Sequence, residues 1–159
     1  MKSSVLVFLL RKGKGGVLEV CLGKRKTNYA RGLWNAPGGK VKAKEDILDS
    51  AIREVEEEVG LNIEREELVK KGEITYYEPA GNWLVHAFIC KKWKGEIKET
   101  DEMLPLWFSL NELPSNDMWE NDQLWWPKVL CGKKIKGKIW HNKDYKVIKS
   151  VLKEVDELT

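Results

Sequence analysis

Three glutamates near the middle of the chain could together bind a metal ion. Glu54, Glu57 and Glu58 are spaced three and four residues apart, so a helix would place their carboxylates on one surface. Because clustered like charges repel, one carboxylate would take up a proton unless a cation lay among them. An all-oxygen cluster favours a hard ion such as Mg2+, which commonly shares its ligand shell with substrate phosphates. The alternative is a solvated acidic helix face.

The segment that carries these glutamates predicts an amphipathic helix that ends at a glycine. Apolar residues recur at the helical period between Glu45 and Val59. They are Ile47, Leu48, Ala51, Ile52, Val55 and Val59. Gly60 follows, where a C-terminal cap favours a left-handed residue. Arg53 could pair with Glu57 one turn later, or brace Glu45 and so hold the helix to the preceding loop.

Residues 39–61 match the Nudix box, Gly-x5-Glu-x7-Arg-Glu-U-x-Glu-Glu-x-Gly-U with U aliphatic, at each of its constrained positions. The chain therefore resembles the Nudix hydrolases. The resemblance implies a loop-helix-loop that binds Mg2+, with Mn2+ as the other candidate metal. It also implies hydrolysis of a small-molecule nucleotide in which a nucleoside diphosphate is linked to another group.

Three further segments resemble the mammalian-type MutT homologues within this superfamily. They are LWNAPGGKV at 33–41, TDEMLPLWFSL at 100–110 and NDMWENDQLWWPKVL at 116–130. The resemblance implies hydrolysis of oxidised purine nucleoside triphosphates, namely 8-oxo-dGTP and 2-hydroxy-dATP. Water attacks a phosphorus of the triphosphate, and the products are the monophosphate and pyrophosphate. A Nudix hydrolase of methylated or normal purine triphosphates, dinucleoside polyphosphates or capped RNA is the first alternative. A nucleotide-binding module without turnover is the second.

The resemblance also assigns roles to single residues at matching positions. The implied metal and catalytic residues are Gly38 through its carbonyl, Arg53, Glu54, Glu57, Glu58 and Glu102. Glu58 is the first choice for the general base, with Glu57 and Glu102 left open. The implied base pocket contains Asn35, Trp119 and Asp122, with Met103 lining it, and Arg25 stands where the family has a substrate-contacting lysine. On chemistry alone, Asn35 could equally cap a turn and Glu102 could be an ordinary loop carboxylate.

Two positions depart from the family pattern. Asn121 replaces the first of two adjacent aspartates in the base pocket, and Trp83 lies near the place of a methionine that covers the base. An asparagine amide donates without protonation, and we expect Asp122 to accept as a carboxylate. That pair complements guanine, so the sequence predicts a preference for 8-oxo-dGTP over 2-hydroxy-dATP. Trp83 could strengthen base stacking or shrink the pocket.

The remaining pattern predicts the elements that must position these residues. A glycine-rich turn joins apolar strands at 5–10 and 17–22, with the first buried on both faces, and a second hairpin pairs 73–77 with 83–91. Residues 61–71 predict a turn and a short irregular piece. Other predicted elements are strands at 34–36, 93–100, 106–110 and 134–141 and a helix at 121–130. Residues 145–155 have helical spacing, but the resemblance favours a final strand there.

These elements predict one Nudix domain over residues 1–159, of the α+β class, in which a mixed β-sheet packs between helices as an α/β/α sandwich. The net charge of +3 is too small to indicate nucleic acid as the primary partner. No segment reads as a signal peptide or a membrane span, and the odd number of cysteines argues against a disulfide scaffold. We therefore expect a cytoplasmic monomer.

Three kinds of residue carry further expectations. The cysteines Cys21, Cys90 and Cys131 are expected to be buried free thiols. His86 is expected to be a satisfied core histidine. Some of the eight tryptophans lie near polar loop residues, where a ring could stack on a flat ligand. They are Trp34, Trp119, Trp125 and Trp126.

Overall fold

The computed structural model describes residues 1–28 and 30–158, and in that range the chain forms nine strands and two α-helices. In chain order they are β1 (Lys2–Lys12), β2 (Leu18–Arg25), β3 (Trp34–Asn35), β4 (Gly38–Lys40), α1 (Ile47–Val59), β5 (Val69–Tyr77), β6 (Trp83–Cys90), β7 (Met103–Ser109), α2 (Asp122–Leu130), β8 (Ile135–His141) and β9 (Val147–Glu154).

Strand β1 lies at the centre of a mixed sheet. It pairs with β6 in parallel, and with β2 and β4 in antiparallel orientation. The order across the sheet is β3-β2-β1-β6-β5-β8-β9, and β7 pairs with the other edge of β2. Helices α1 and α2 cover opposite faces, so the expected α+β sandwich is confirmed.

Because side chains of a strand alternate between faces, β1 contributes to two hydrophobic cores. Phe8 and Leu10 point to the α2 face, whereas Val7 and Leu9 point to the α1 face, as predicted for a strand buried on both sides. Trp125 and Trp126 of α2 fill the first core. Both are at most 1% exposed, and the Trp126 ring lies 5.0 Å from that of Phe8, so the expectation that they stack on a ligand is wrong.

Both hairpins and the helix at 121–130 are confirmed, and the open question at 145–155 is decided in favour of a strand. Val147 and Leu152 of β9 pack against the core on the α2 face, but Ile148 and Val151, which belong to the same helical pattern, remain exposed. The strand expected at 93–100 is wrong. Only Lys94 forms a bridge there, to Asn62, and Gly95 with φ 98° turns the chain away immediately afterwards. Strand β5 starts at Val69, inside the piece expected to be irregular.

Cys21 and Cys90 are buried free thiols as expected, but Cys131 is exposed because it caps the C-terminal end of α2. His86 is a core residue as expected. It is not fully satisfied, because its Nδ1 has no hydrogen-bond partner among the described residues. Neither described helix is long and apolar enough to cross a membrane.

Candidate active site

Helix α1 is fixed at both ends by its own sequence. The Asp46 side chain caps the first turn by accepting from the backbone N–H groups of Leu48, at 2.9 Å, and Asp49. Gly60 ends the helix with φ 77° and donates its N–H to the Glu56 carbonyl. These caps and the buried apolar stripe hold the helix against the sheet with its glutamates at the edge of the contact.

Arg53 contacts three carboxylates, and one of them connects the helix to the preceding loop. Its guanidinium donates to both oxygens of Glu45, at 2.7 and 2.9 Å, to Glu54 at 2.8 Å and to Glu57 at 3.2 Å. It also donates to the Lys40 carbonyl at 3.1 Å. Both pairings left open by the sequence therefore occur at once. Hydrogen bonding from Arg53 lowers the pKa of Glu45 to about 2, so this brace is ionised at neutral pH.

Glu54 packs against a glycine that no other residue could replace without disturbance. A Cβ atom at Gly39 would lie 2.5 Å from Glu54 Oε1, so only glycine leaves room for the carboxylate in this position. Burial raises the pKa of Glu54, and the charges of Glu57 and Glu102 raise it further, against the opposing effect of Arg53. The Glu102 carboxylate, exposed in the loop before β7, therefore acts on the same site.

Glu58 is the most deeply buried of the four glutamates, with 1% of its side chain exposed. One carboxylate oxygen pairs with the Arg25 guanidinium, and the other accepts from the Gly38 backbone N–H at 2.7 Å. The Thr100 hydroxyl donates to the Glu58 backbone carbonyl at 2.9 Å. Burial raises the pKa of Glu58 to about 7, and the charge of Arg25 opposes that rise. A carboxyl that titrates near neutrality suits a general base.

The expected metal cluster is not assembled in this arrangement. Within residues 1–28 and 30–158, no three Asp, Glu, His or Cys side chains are grouped so as to hold a metal ion. Two guanidiniums contact the carboxylates instead: Arg25 contacts Glu58, and Arg53 contacts Glu54 and Glu57. The donor chemistry still fits a hard divalent cation, since the site offers only oxygen atoms and two of its carboxyls have raised pKa values.

On the α2 face, a hydrogen-bonded chain fixes the orientation of the Asn121 side chain. The Trp125 indole donates to the Tyr76 hydroxyl at 3.0 Å, and that hydroxyl donates to Asn121 Oδ1 at 2.9 Å. Burial raises the pKa of Tyr76, so its hydroxyl keeps the proton that it donates. With Oδ1 occupied, the Asn121 amide has its N–H2 group left as a donor.

Asp122 differs from its expected state. It is 4% exposed, and its Oδ2 has no partner among the described residues. Burial raises the pKa of Asp122 well above its usual value, which favours the protonated acid over the expected carboxylate. A protonated Asp122 accepts through its carbonyl oxygen and donates through its hydroxyl.

Three other expected pocket residues, Asn35, Trp119 and Trp83, lie at separate places in the structure. Asn35 Oδ1 accepts from the Ala36 backbone N–H at 2.9 Å. This local hydrogen bond is the kind expected if Asn35 caps a turn, and it leaves the amide N–H2 group as a donor. Trp119 is half-buried with its ring 5.8 Å from that of Tyr145. Trp83 is also half-buried, and it pairs with Tyr76 across the sheet.

Met103 is misassigned by the sequence. It is fully buried in the core beneath α1, where its side chain fills the space beside Gly23, so it does not line a pocket on the α2 face. Arg25 reaches Glu58 on that same α1 side. Lys26, next to it, pairs with Glu99.

Sequence reasoning overlooked three polar residues on the α2 face. Tyr76, Glu78 and His141 lie at the ends of β5 and β8, where the two strands run parallel in register. The available signal was the alternation of β5, since Ile74 and Tyr76 share a face and Glu78 continues it. Neither spacing nor composition marked these positions as polar groups of a site.

Comparison with known proteins identifies related chains of nearly the same length. A model of the NUDIX domain matches residues 1–128. The chain is 35% identical over 159 residues to an oxidized purine nucleoside triphosphate hydrolase of Danio rerio, covering 99% of this chain and 97% of that relative. It is 37% identical over 140 residues to the protein of the same name from Mus musculus, covering 87% and 88%.

Solved structures agree with the fold. A MutT protein from Bacillus halodurans superposes with a TM-score of 0.78 at 22% identity, covering 96% of this chain and 97% of that one. At that identity the match speaks for the fold alone.

Proposed function

The chain belongs to the Nudix family, and from this premise we propose that it hydrolyses oxidised purine nucleoside triphosphates, preferentially 8-oxo-dGTP, to the monophosphate and pyrophosphate. The two vertebrate relatives carry the name of that activity and align with most of this chain. The residues of both faces of the sheet support the same assignment, one face for the reaction and the other for the base.

The observation that carries the substrate proposal is the fixed Asn121 amide beside the buried acid Asp122. Guanine presents an accepting O6 next to a donating N1–H. The Asn121 N–H2 group would donate to the first, and the Asp122 carbonyl oxygen would accept from the second. A buried carboxyl group without a hydrogen-bond partner destabilises the fold unless a ligand supplies that partner. The Asn121–Asp122 pair therefore supports recognition of a guanine-type edge.

On the reaction side, we assign the proton transfer to Glu58. Its pKa of about 7 lets it be half deprotonated at neutral pH and still hold a proton after accepting one from the attacking water. Gly38 and Arg25 fix the two oxygens of the carboxylate, and Arg53 fixes Glu54 and Glu57 one turn away. Glu57 and Glu102 remain the alternative bases.

The same residues would hold the divalent metal, which we propose is Mg2+, with Mn2+ as a substitute. We assign its ligands to Glu54, Glu57, Glu58, Glu102 and the Gly38 carbonyl. The metal would supply neutralisation of the phosphate oxygens and activation of the attacking water. Arg25 and Arg53 keep these carboxylates together by offsetting their mutual repulsion in its absence.

A steady-state panel tests this function. Purified protein is assayed with Mg2+ against 8-oxo-dGTP, 2-hydroxy-dATP, O6-methyl-dGTP and dGTP, and pyrophosphate release is measured. The proposal requires 8-oxo-dGTP to have the highest kcat/KM of the four. Preference for O6-methyl-dGTP or dGTP would assign the chain to another nucleotide, and absence of pyrophosphate from every substrate would leave a binding module.

We further propose that residues 1–159 act as one domain, as a monomer in the cytoplasm. The free thiols of Cys21, Cys90 and Cys131 support a reducing compartment. Sedimentation equilibrium at micromolar concentration tests the monomer, and a mass of twice 18.4 kDa would contradict it.

A further inference from the structure

A second polar side chain without partners lies beside the Asn121–Asp122 pair. Five buried side-chain nitrogen or oxygen atoms of the described residues have no hydrogen-bond partner, and three of them belong to Asp122 and His141. Both ring nitrogens of His141 are among these atoms, and only 2% of its side chain is exposed. Buried polar groups are nearly always paired, so this concentration requires an explanation.

Strand register brings His141 to this place. Ile139 of β8 pairs with Tyr76 of β5, and His141 and Glu78 each lie two residues further along the same strands. Because alternate residues share a face, His141 projects on the Tyr76 side, and the two rings lie 5.5 Å apart in an edge-to-face arrangement. The hydroxyl of that same Tyr76 orients Asn121.

The charged groups around His141 do not form hydrogen bonds with its ring nitrogens. Its Nδ1 lies 3.9 Å from Glu78 Oε1, which is beyond hydrogen-bond distance. Burial raises the pKa of Glu78 and lowers the pKa of His141, so both groups are shifted toward their neutral forms and do not make a strong ion pair. Glu120, before α2, accepts from the Val147 backbone N–H and opposes the fall in the pKa of His141 from a greater distance.

We propose that His141 is a specificity-determining residue that hydrogen-bonds the base of the nucleotide, on the same face of the sheet as Asn121 and Asp122. The inference rests on the proposed function and adds a base contact to it. A neutral imidazole offers one donor and one acceptor. An oxidised purine carries N–H and C=O groups side by side, and His141 would accept from the first or donate to the second.

The test uses nuclear magnetic resonance of the wild-type protein without metal. The chain contains two histidines, so His86 on the opposite face serves as an internal reference. We expect the His141 imidazole signals to shift when 8-oxo-dGMP is added, and those of His86 to stay. The baseless compound 2-deoxyribose 5-phosphate should move neither. A His141 shift with the sugar phosphate alone, or no shift at saturating 8-oxo-dGMP, would overturn the base contact; the latter is the result expected if only buried water pairs the ring.

Two substitutions add a kinetic measurement. His141→Phe removes both hydrogen-bonding nitrogens, and we expect about a tenfold lower kcat/KM for 8-oxo-dGTP, mainly through KM. His141→Gln keeps a donor and an acceptor and should recover part of the loss. His86→Phe is the matched control and should leave KM unchanged. A wild-type KM in His141→Phe, with near-ultraviolet circular dichroism confirming its fold, would reject the inference.

Parallel turnover of 8-oxo-dGTP by the wild type separates the two proposals. Turnover together with silent His141 signals rejects the base contact alone. Absence of turnover rejects the proposed hydrolysis, while a His141 shift with 8-oxo-dGMP would still establish the base contact.

Discussion

The guanidinium of Arg25, at the end of β2, contacts the buried carboxylate of Glu58 on α1, across a sequence separation of 33 residues. This contact places a permanent positive charge against the proposed general base. Burial raises the pKa of Glu58, and Arg25 keeps the rise limited to about 7. The base therefore titrates where it can act at neutral pH.

Replacing Glu58 by glutamine tests this role. Glu58→Gln keeps the shape of the side chain and an oxygen to accept from Gly38, but removes the basic carboxylate. We expect kcat for 8-oxo-dGTP to fall by about 100- to 10,000-fold, the usual contribution of a general base, with nucleotide affinity retained. Glu56→Gln, an exposed glutamate on the same helix, is the control and should keep wild-type kcat. Turnover near wild type in Glu58→Gln would exclude Glu58 as the base.

The pH dependence of stability gives a second prediction for the same residue, measured with a chelator present. The folded-state pKa of about 7 exceeds the unfolded value of 4.5, so the folded protein binds more protons between these values. The contribution of Glu58 to the free energy of unfolding therefore falls as pH rises from 4.5 to 7. Below pH 4.5 this contribution does not change with pH. Glu58→Gln should gain up to about 3 kcal/mol over the wild type at pH 8.

Urea denaturation of both proteins at pH 5 and pH 8 measures this difference. The gap between variant and wild type must widen toward pH 8. A constant gap would mean that the pKa of Glu58 is not raised in the metal-free protein.

Arg53 and Arg65 form a matched pair for a third prediction, because both bridge carboxylates near α1. Arg53 is largely buried, and Arg53→Ala would release Glu45, Glu54 and Glu57 together. We expect about a 100-fold loss of kcat from misplaced carboxylates. Arg65→Ala breaks pairs to Asp46 and Asp49 on the exposed surface, where solvent screens the charges, so it should leave kcat unchanged. Equal losses of kcat in both variants would mean that Arg53 acts through the stability of α1 and not by positioning the carboxylates.

Local features of the sequence were enough to place α1 and its glutamates. The apolar period and the left-handed Gly60 are both determined by neighbours within a few residues. The hairpins were equally predictable, because turn residues separate apolar runs. The brace from Arg53 to Glu45 was one of the two pairings that the sequence left open.

Contacts between distant segments could not be read in this way. Tyr76 and Asn121 are separated by 45 residues, and the packing of α2 against the sheet brings them together. The same holds for His141, whose place depends on parallel pairing of β8 with β5. Met103 was misassigned for a related reason: sequence alone does not say which face of β7 a residue occupies.

Protonation states were the other property that sequence could not supply. The expectation that Asp122 is a carboxylate took the usual pKa of an exposed aspartate, whereas burial without a partner raises it. Arg25 was assigned to substrate by analogy of position, and its guanidinium pairs with the buried carboxylate of Glu58. Both outcomes depend on solvent exclusion, which the folded packing alone determines.

The orientation of Asn121 leads to the last prediction. The chain from Trp125 through Tyr76 holds Oδ1, so Asn121 presents a donor and cannot reverse it. Asn121→Asp replaces that donor by an oxygen adjacent to Asp122. Two neighbouring carboxyls repel when both are ionised, so one proton would be shared between them and either residue could donate. The variant should therefore lose discrimination between base edges.

We expect Asn121→Asp to lower the ratio of kcat/KM for 8-oxo-dGTP to that for 2-hydroxy-dATP by about tenfold, the effect of one fixed hydrogen bond. Gln123→Glu makes the same change of amide to carboxylate at an exposed neighbouring position, and should leave the ratio as in the wild type. Tyr76→Phe removes the hydroxyl that orients Asn121 and should lower the ratio without adding a charge. A wild-type ratio already near one, or an unchanged ratio in both pocket variants, would show that Asn121 does not select the base.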